Sequence, residues 1–498
     1  MENLLLGIDI GTSACKVAVF NESGKAIASA NGQYNVYYPQ PGWAEQDVSE
    51  WWEAIVAAIK EVLSAPGVCA DNICGIGIDG QSWSAIPVDR EGNVLARDPI
   101  WMDTRSRFIC ERVKKELGEN TVFEVAGNDF LAPYAAPKMI WFKENCPEIY
   151  KKTYKYLQSN SYIAYKLTGK FTQDKSQLYG IQFFSLHKME YDRELASALG
   201  LSTDLIPELY DCDAVIGGVS AETSAITGLK EGTPVVAGGL DAACGTLGAG
   251  VYKPGQTQEQ GGQAGGMSIC IDSSLAHKSL ILSTHVVPGM YLLQGGSVGG
   301  GGVLKWFRQE LAKGMSFDEI TAEAENIPAG AEGVVFLPYM AGERSPIWDP
   351  DAKGVFYGLG YDKTRGHMIK AVLESVAFSL EHNMRIAESV GAYADTLNAM
   401  GGAANSRFWT QIKADVTGKR FEVPMSDTAT TLGAAILAGI GCGVYGSYEE
   451  AVSRTITITR VHEPDMENHE KYKKYMELYL ELYDDLKGTF AKYGSLRD

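Results

Sequence analysis

No surplus of basic residues marks this chain: 44 Lys and Arg stand against 62 Asp and Glu, a formal net charge of −18 over 498 residues. That balance argues against a protein that coats nucleic acid or an anionic membrane surface, because both call for a cationic face. A local pocket for an anion stays open, and a nucleotide would have to be held by backbone amides and few cations. Paired-cysteine motifs are missing as well. Nine cysteines are scattered along the chain, and the closest pair, Cys69 and Cys74, has neither zinc-knuckle nor CxxC spacing; we read them as reduced and mostly buried. The first residues, MENLLLGIDIG, carry no basic n-region and meet an acid and glycines too early for a signal peptide, which points to the cytoplasm. Uncharged stretches such as 428–448 are rich in Gly, Thr and Ser, so no membrane span is expected. Nowhere does GxxxxGK[ST] occur, which excludes a P-loop enzyme.

What the chain does have is length and a repeated layout. Its 498 residues exceed one ordinary core and imply two or more domains. LLLGIDI reads as a strand, GTS as a tight turn, KVAVFN as a second strand and ESG as a turn into KAIASANGQY, together a β-meander. The glycine-bearing turn joins strand to strand, whereas Walker A and Rossmann loops join strand to helix. GIGIDG at 75–80 fits GxGxxG by letter, but the QSWSAIPVD that follows alternates like a strand, so the match is accidental. An amphipathic helix is expected around 48–63, a strand near 73–79, and helices around 106–117 and 137–143. Near Lys253-Pro254-Gly255 the pattern restarts, with QEQGGQAGGMSICID again giving a Gly-rich turn and a strand. The expected organisation is two related α/β domains, 1–253 and 254–498, the second closing in a polar helical tail after Tyr448.

One acid stands out in GGLDAACGTLGAG at 238–250, since Asp241 is the only formal charge between Glu231 and Lys253. An isolated carboxylate among small residues is either buried at a cost of several kcal/mol or faces a cleft where its charge is used. An N-capping role fits the same pattern.

Several segments carry a family resemblance. GVFYGLGYDKTRGHMIKAVLE at 354–374, FLPYMAGERSPIWDP before it, WMDTR at 101–105, APKMIWFKEN at 136–145 and MGGAANSRFWTQIKADVTGKRFEVP at 400–424 resemble the FGGY carbohydrate kinases over nearly the whole chain, and xylulokinases above all. The resemblance implies two ribonuclease H-like lobes of the actin/hexokinase type with an interlobe nucleotide and sugar cleft, and it implies ATP and Mg²⁺. It makes Asp241 the general base that accepts the proton of the attacking hydroxyl. Asp9, at a strand end beside Gly11-Thr12-Ser13, would serve Mg²⁺ while amides and hydroxyls of that turn meet the phosphates and Lys16 adds a cation; an ordinary DxG hairpin is the bland alternative. The second phosphate turn departs from the pattern, with Gly262-Gln263-Ala264 where the family usually shows Gly-Thr-Ser, so the Gln263 amide either replaces a hydroxyl contact or leaves it unmade. Gly401 and Gly402 resemble the adenosine motif, with Asn405 placed to bond base or ribose, and Gly301 lies in SVGGGGVLKWF, a Gly-rich approach to a helix near the nucleotide that otherwise reads as a linker.

For the sugar, the resemblance places Trp101, Asp103, Arg105 and Tyr134 around the pocket, with Asp241; a core tryptophan and a solvated ion pair are the alternatives for the first three. Gln81-Ser82-Trp83-Ser84 stands where xylulokinases carry Gln-Met-His-Gly, and Asp241-Ala242 where they carry Asp-Asn, so Ser82, Trp83 and Ala242 alter three presumed sugar contacts. The expected activity is ATP-dependent phosphorylation of a terminal hydroxyl of a small ketose or polyol, xylulose first. Other pentuloses such as ribulose, hexuloses, sugar acids such as gluconate and polyols such as glycerol remain open, as does an actin-like ATPase or sugar sensor that closes without turnover. Helical faces fit both intramolecular packing and a homodimer contact.

Overall fold

A computed structural model describes residues 3–425 and 428–496. Alternation of apolar residues with glycine and polar residues builds a first sheet of seven strands: β1 (Leu4–Ile10), β2 (Ala14–Asn21), β3 (Ala26–Gln33), β4 (Ile73–Gly80), β5 (Val215–Gly218), β6 (Pro234–Val236) and β7 (Gly239–Leu240). Their order is β5-β6-β4-β1-β2-β3, with β7 also on β4. The β1-β2-β3 meander is antiparallel, while β4 joins β1 in parallel. Helix α1 (Val48–Leu63) seals one face. Asp47 caps it by accepting from Ser49 N at 3.0 Å, and Trp51, Ile55 and Ile59, four residues apart, go fully into the core.

The layout then repeats. A second sheet comprises β8 (Gln256–Gly261), β9 (Gly265–Ile271), β10 (Ile281–Thr284), β11 (Tyr291–Ser297), β12 (Thr396–Met400), β13 (Arg420–Pro424) and β14 (Ile458–His462), in the order β10-β11-β9-β8-β12-β13-β14. Strand β8 pairs antiparallel with β9 and parallel with β12, as β1 pairs with β2 and β4.

Two helices join the sheets. Helix α2 (Asp241–Gly248) follows β7, and helix α4 (Ala429–Gly441), from the second half of the chain, packs on α2, β1 and β4. The approach is backbone to backbone: a side chain at Gly77 would collide with the Ala434 carbonyl, and one at Gly433 with the Cys244 carbonyl. Helix α3 (Gly301–Leu311) lies between these two in the chain. The tail is helix α5 (Met466–Gly494), whose Tyr472, Met476 and Tyr479 are buried; Tyr472 bonds Glu374 and Tyr479 bonds Tyr339, each at 2.8 Å. All nine cysteines are free, five of them buried. Among the described residues no helix is long and apolar enough to cross a membrane.

Candidate active site in the interlobe cleft

Between the sheets runs a cleft of about 1360 Å³, lined from one lobe by Asp9, Gly11, Asp241 and Ala242 and from the other by Gly262, Gly401, Gly402 and Asn405. That exceeds the roughly 300–1,000 Å³ of a typical ligand site and suits two substrates end to end.

Asp241 is the first residue of α2, one position inside the cap residue Leu240. Its Oδ1 accepts from the Ala242 amide at 2.6 Å, so it does not cap the helix from outside. Burial, reinforced by the charge of Asp9, pushes its carboxyl up to about 7. Asp9 is itself raised by burial, while Asp79 and Lys16 pull it back; Lys16 stands opposite it in the β1-β2 register. Asp79 is fully buried, no protein donor reaches either of its oxygens, and burial with the charge of Asp9 holds it well above the carboxylate range.

Both turns at the cleft have their carbonyl sides anchored in protein. In the first, Gly11 O accepts from Tyr34 OH (2.5 Å) and Thr12 O from Gln46 Nε2 (2.7 Å), with Ser13 exposed beside them. In the second, Gly262 O accepts from Gly301 N (2.8 Å) and Gln263 O from Gly302 N (2.9 Å). The Gly-rich run is therefore a brace: the amides of Gly301 and Gly302, at the start of α3, are spent on the turn. Glu343 steadies the same run, its Oε1 accepting from Val298 N (2.5 Å) and Arg344 N (2.8 Å). The Gln263 side chain lies over Gly302, where any side chain would collide with its Nε2. Below the turn, Lys413 and Glu259 form a buried ion pair at 2.6 Å. Gly401 adopts φ 83°, and a Cβ at Gly402 would meet nothing within 4 Å, which leaves an open backbone face at the cleft. Arg460 holds that loop by donating to Ala404 O.

Residues 4–248 match the model for the FGGY family of carbohydrate kinases, N-terminal domain, and residues 272–442 the C-terminal domain of the same family. The chain belongs to the FGGY carbohydrate kinases. It is 30% identical to a xylulose kinase of Bacillus subtilis over 99% of both chains, and 29% identical to a gluconokinase of Bacillus licheniformis over 99% and 98%. The solved xylulose kinase of Rhodospirillum rubrum aligns with a TM-score of 0.92 at 27% identity, covering 98% of this chain and all of that one. This kinase accordingly has the two-lobed fold and the phosphotransferase activity of its family, with ATP as substrate.

In this FGGY kinase the residues predicted for the sugar fall into two groups. Trp101 is 36% exposed and donates from Nε1 to Thr12 Oγ1 at 2.9 Å, which ties it to the Gly11-Thr12-Ser13 turn. Ser82 and Trp83 are half-buried, and Trp83 packs on Tyr134 with ring centroids 4.5 Å apart. Asp103 and Arg105 are different: Asp103 Oδ1 accepts from Arg105 N and Nε, and Oδ2 from Arg105 Nη2 and Ala44 N. The guanidinium also bonds Glu45 and lies 3.7 Å from the Trp43 ring centroid. The pair is buried in protein rather than solvated. Gln81 is buried and donates to Gln46, which in turn holds Thr12 O.

Sequence reasoning passed over Asp79 and Gln46. A signal existed for the first, since Gly7-Ile8-Asp9 recurs as Gly77-Ile78-Asp79. Gln46 has no local motif and emerges only from packing.

Proposed function

We propose that this kinase transfers the γ-phosphoryl group of ATP to a terminal hydroxyl of a short ketose, xylulose first, with Asp241 as general base. The observation that carries the reading is Asp241 at the first position of α2, on the cleft between two braced turns. A carboxyl held near 7 is matched to proton abstraction at neutral pH. The attacking hydroxyl loses its proton to Asp241 as the new O–P bond forms, and the bond from the γ-phosphorus to its bridging oxygen breaks to release ADP. Trp101, held on the first phosphate turn, and Ser82 and Trp83 supply the sugar wall. Gly401, Gly402 and Asn405 offer the adenosine end a backbone face.

For Mg²⁺, Asp9 and Asp241 both line the cleft and Asp79 adds a buried carboxylate whose oxygens lack a protein donor. Oxygen ligands of this kind fit a hard cation. Among the described residues no three His, Cys, Asp or Glu side chains are grouped to hold an ion alone, so Asp9 would share it with the phosphates. Bound there, the ion neutralises charge on the transferring phosphoryl group. The free, mostly buried thiols suit a reducing compartment, and we place the enzyme in the cytoplasm.

An ADP-release assay with Mg·ATP over pentuloses, hexuloses, polyols and aldonic acids tests this reading. Xylulose is expected to give the highest kcat/KM. Another best substrate overturns the sugar assignment, and sugar-independent ADP release overturns the coupling of sugar to transfer.

A further inference from the structure

Trp83 is held in a backbone conformation that a bulky residue avoids, φ 65°. Three features hold it there. Lys138 Nζ donates to Trp83 O at 2.8 Å, Gly180 leaves the space that its ring fills, since a Cβ there would come within 2.7 Å of Trp83 Cδ1, and Tyr134 and Tyr179 flank it with centroids 4.5 and 5.8 Å away. Tyr179 is buried, its hydroxyl stands 3.4 Å from Ser82 Oγ, and the charge of Asp241 bears on it. A tryptophan in the left-handed region, braced from three sides, is a built surface.

We infer that Tyr179, backing Ser82 and Trp83, forms the end wall of the sugar site and sets the longest carbon chain the enzyme accepts. The inference rests on the kinase reading and adds a residue to it. A substrate whose terminal hydroxyl reaches Asp241 runs outward along Ser82 and the Trp83 ring, and the aromatic cluster stops it. The wall also discriminates by charge. Lys138 is committed to the carbonyls of Trp83 and Ile100, and Arg105 to Asp103 and Glu45, so neither cation beside this wall is left to meet a substrate carboxylate. A neutral ketose or polyol is accepted and an aldonate of equal length is refused.

The test is a series of neutral 2-ketoses of five, six and seven carbons, with the five-carbon aldonate, assayed on wild type, Tyr179→Phe and Tyr179→Ala. Wild type should favour five carbons, Tyr179→Phe should keep that ranking because the ring remains, and Tyr179→Ala should shift the six-to-five ratio of kcat/KM upward by about tenfold. Quenching of tryptophan fluorescence ranks the same sugars by binding, so the wall is tested even where no ADP is released; absence of ADP release with every sugar would strike the kinase reading alone. If Tyr179→Ala does not fold, Tyr179→Leu keeps apolar volume and carries the same expectation. A folded Tyr179→Ala or Tyr179→Leu variant with an unchanged ranking, or a wild type that takes seven carbons or the aldonate as readily as the five-carbon ketose, overturns the end wall.

Discussion

Asp9 and Asp79 are direct partners in the parallel β1-β4 register, each preceded by an isoleucine that is likewise paired, Ile8 with Ile78. The register sets two carboxylates side by side near Asp241, which opens α2 directly after β7, itself paired with β4. Three acids in one desolvated place cannot all ionise easily, and this raises the proton affinity of the group.

Replacing Asp241 with Asn should leave sugar and nucleotide binding in place and lower kcat by about 10²–10⁴-fold, because the near-isosteric amide cannot accept a proton. Steady-state kinetics with binding measured by calorimetry checks this. Retention of more than half the parent activity would remove Asp241 from the base role.

The rate should also carry an acid limb. Since burial lifts the Asp241 carboxyl to about 7, kcat/KM is expected to fall as pH drops below that value, where the base is protonated. The same shift works against stability in the other direction: the folded chain keeps this proton up to about pH 7 while the unfolded chain releases it near 3.8, so the contribution declines as pH rises between the two. A pH–rate profile whose acid limb survives unchanged in Asp241→Glu and sits below pH 5 would refute the assignment.

Asp9→Ala should raise the Mg²⁺ concentration needed for half-maximal rate, since the carboxylate supplies protein charge for the ion. Titration of Mn²⁺ by electron paramagnetic resonance in the presence of a non-hydrolysable nucleotide gives the same comparison without turnover. A variant that titrates like the parent rules out Asp9 as a holder of the metal.

Gly302→Ala should cost about 1–3 kcal/mol, because the new methyl collides with Gln263 Nε2 at the braced turn. The double variant Gly302→Ala with Gln263→Ala should regain only part of the loss in thermal melts and in the KM for ATP, because the Gln263 carbonyl, 2.8 Å from the new methyl, remains. No recovery would mean that the Gln263 carbonyl, rather than its side chain, sets the whole cost.

The combined change Ser82→Met, Trp83→His and Ala242→Asn should raise kcat/KM for xylulose relative to other ketoses if the parent prefers another sugar, with each restored hydrogen bond worth about 0.5–1.5 kcal/mol. Histidine inherits the left-handed backbone of Trp83, so melts must accompany the kinetics. A folded triple variant with an unchanged substrate ranking places specificity elsewhere.

Much of this was legible in the sequence because the signals were local. The meander, α1 and the restart of the layout after Pro254 follow from periodicity and turn residues, and the segments around Trp101, Gly401 and Gly354 carry the family. What was not legible depends on who lies across from whom. That the Gln263 side chain lies over Gly302 has no local signal, nor has the closure of Ala44, Glu45 and Trp43 over Asp103 and Arg105, for which a solvated pair is the alternative reading. Asp79 lies in GIGIDG, whose letters carry no sign of the strand pairing that brings it to Asp9.

The glycine seam under α4 has a consequence for how the chain is made. Leu5, Ala18 and Phe20 of the first sheet share a core with Leu432, Ala435 and Ile436 of α4. The first strands leave the ribosome early, yet one of their faces finds its partner only after residue 441 is synthesised. At about 5–20 residues per second that interval is tens of seconds, during which a newly made apolar sheet face has no native cover. The nascent N-terminal half should therefore bind holding chaperones until α4 arrives, and ribosome-bound chains halted before residue 429 should be far more protease-sensitive than chains halted well beyond 441.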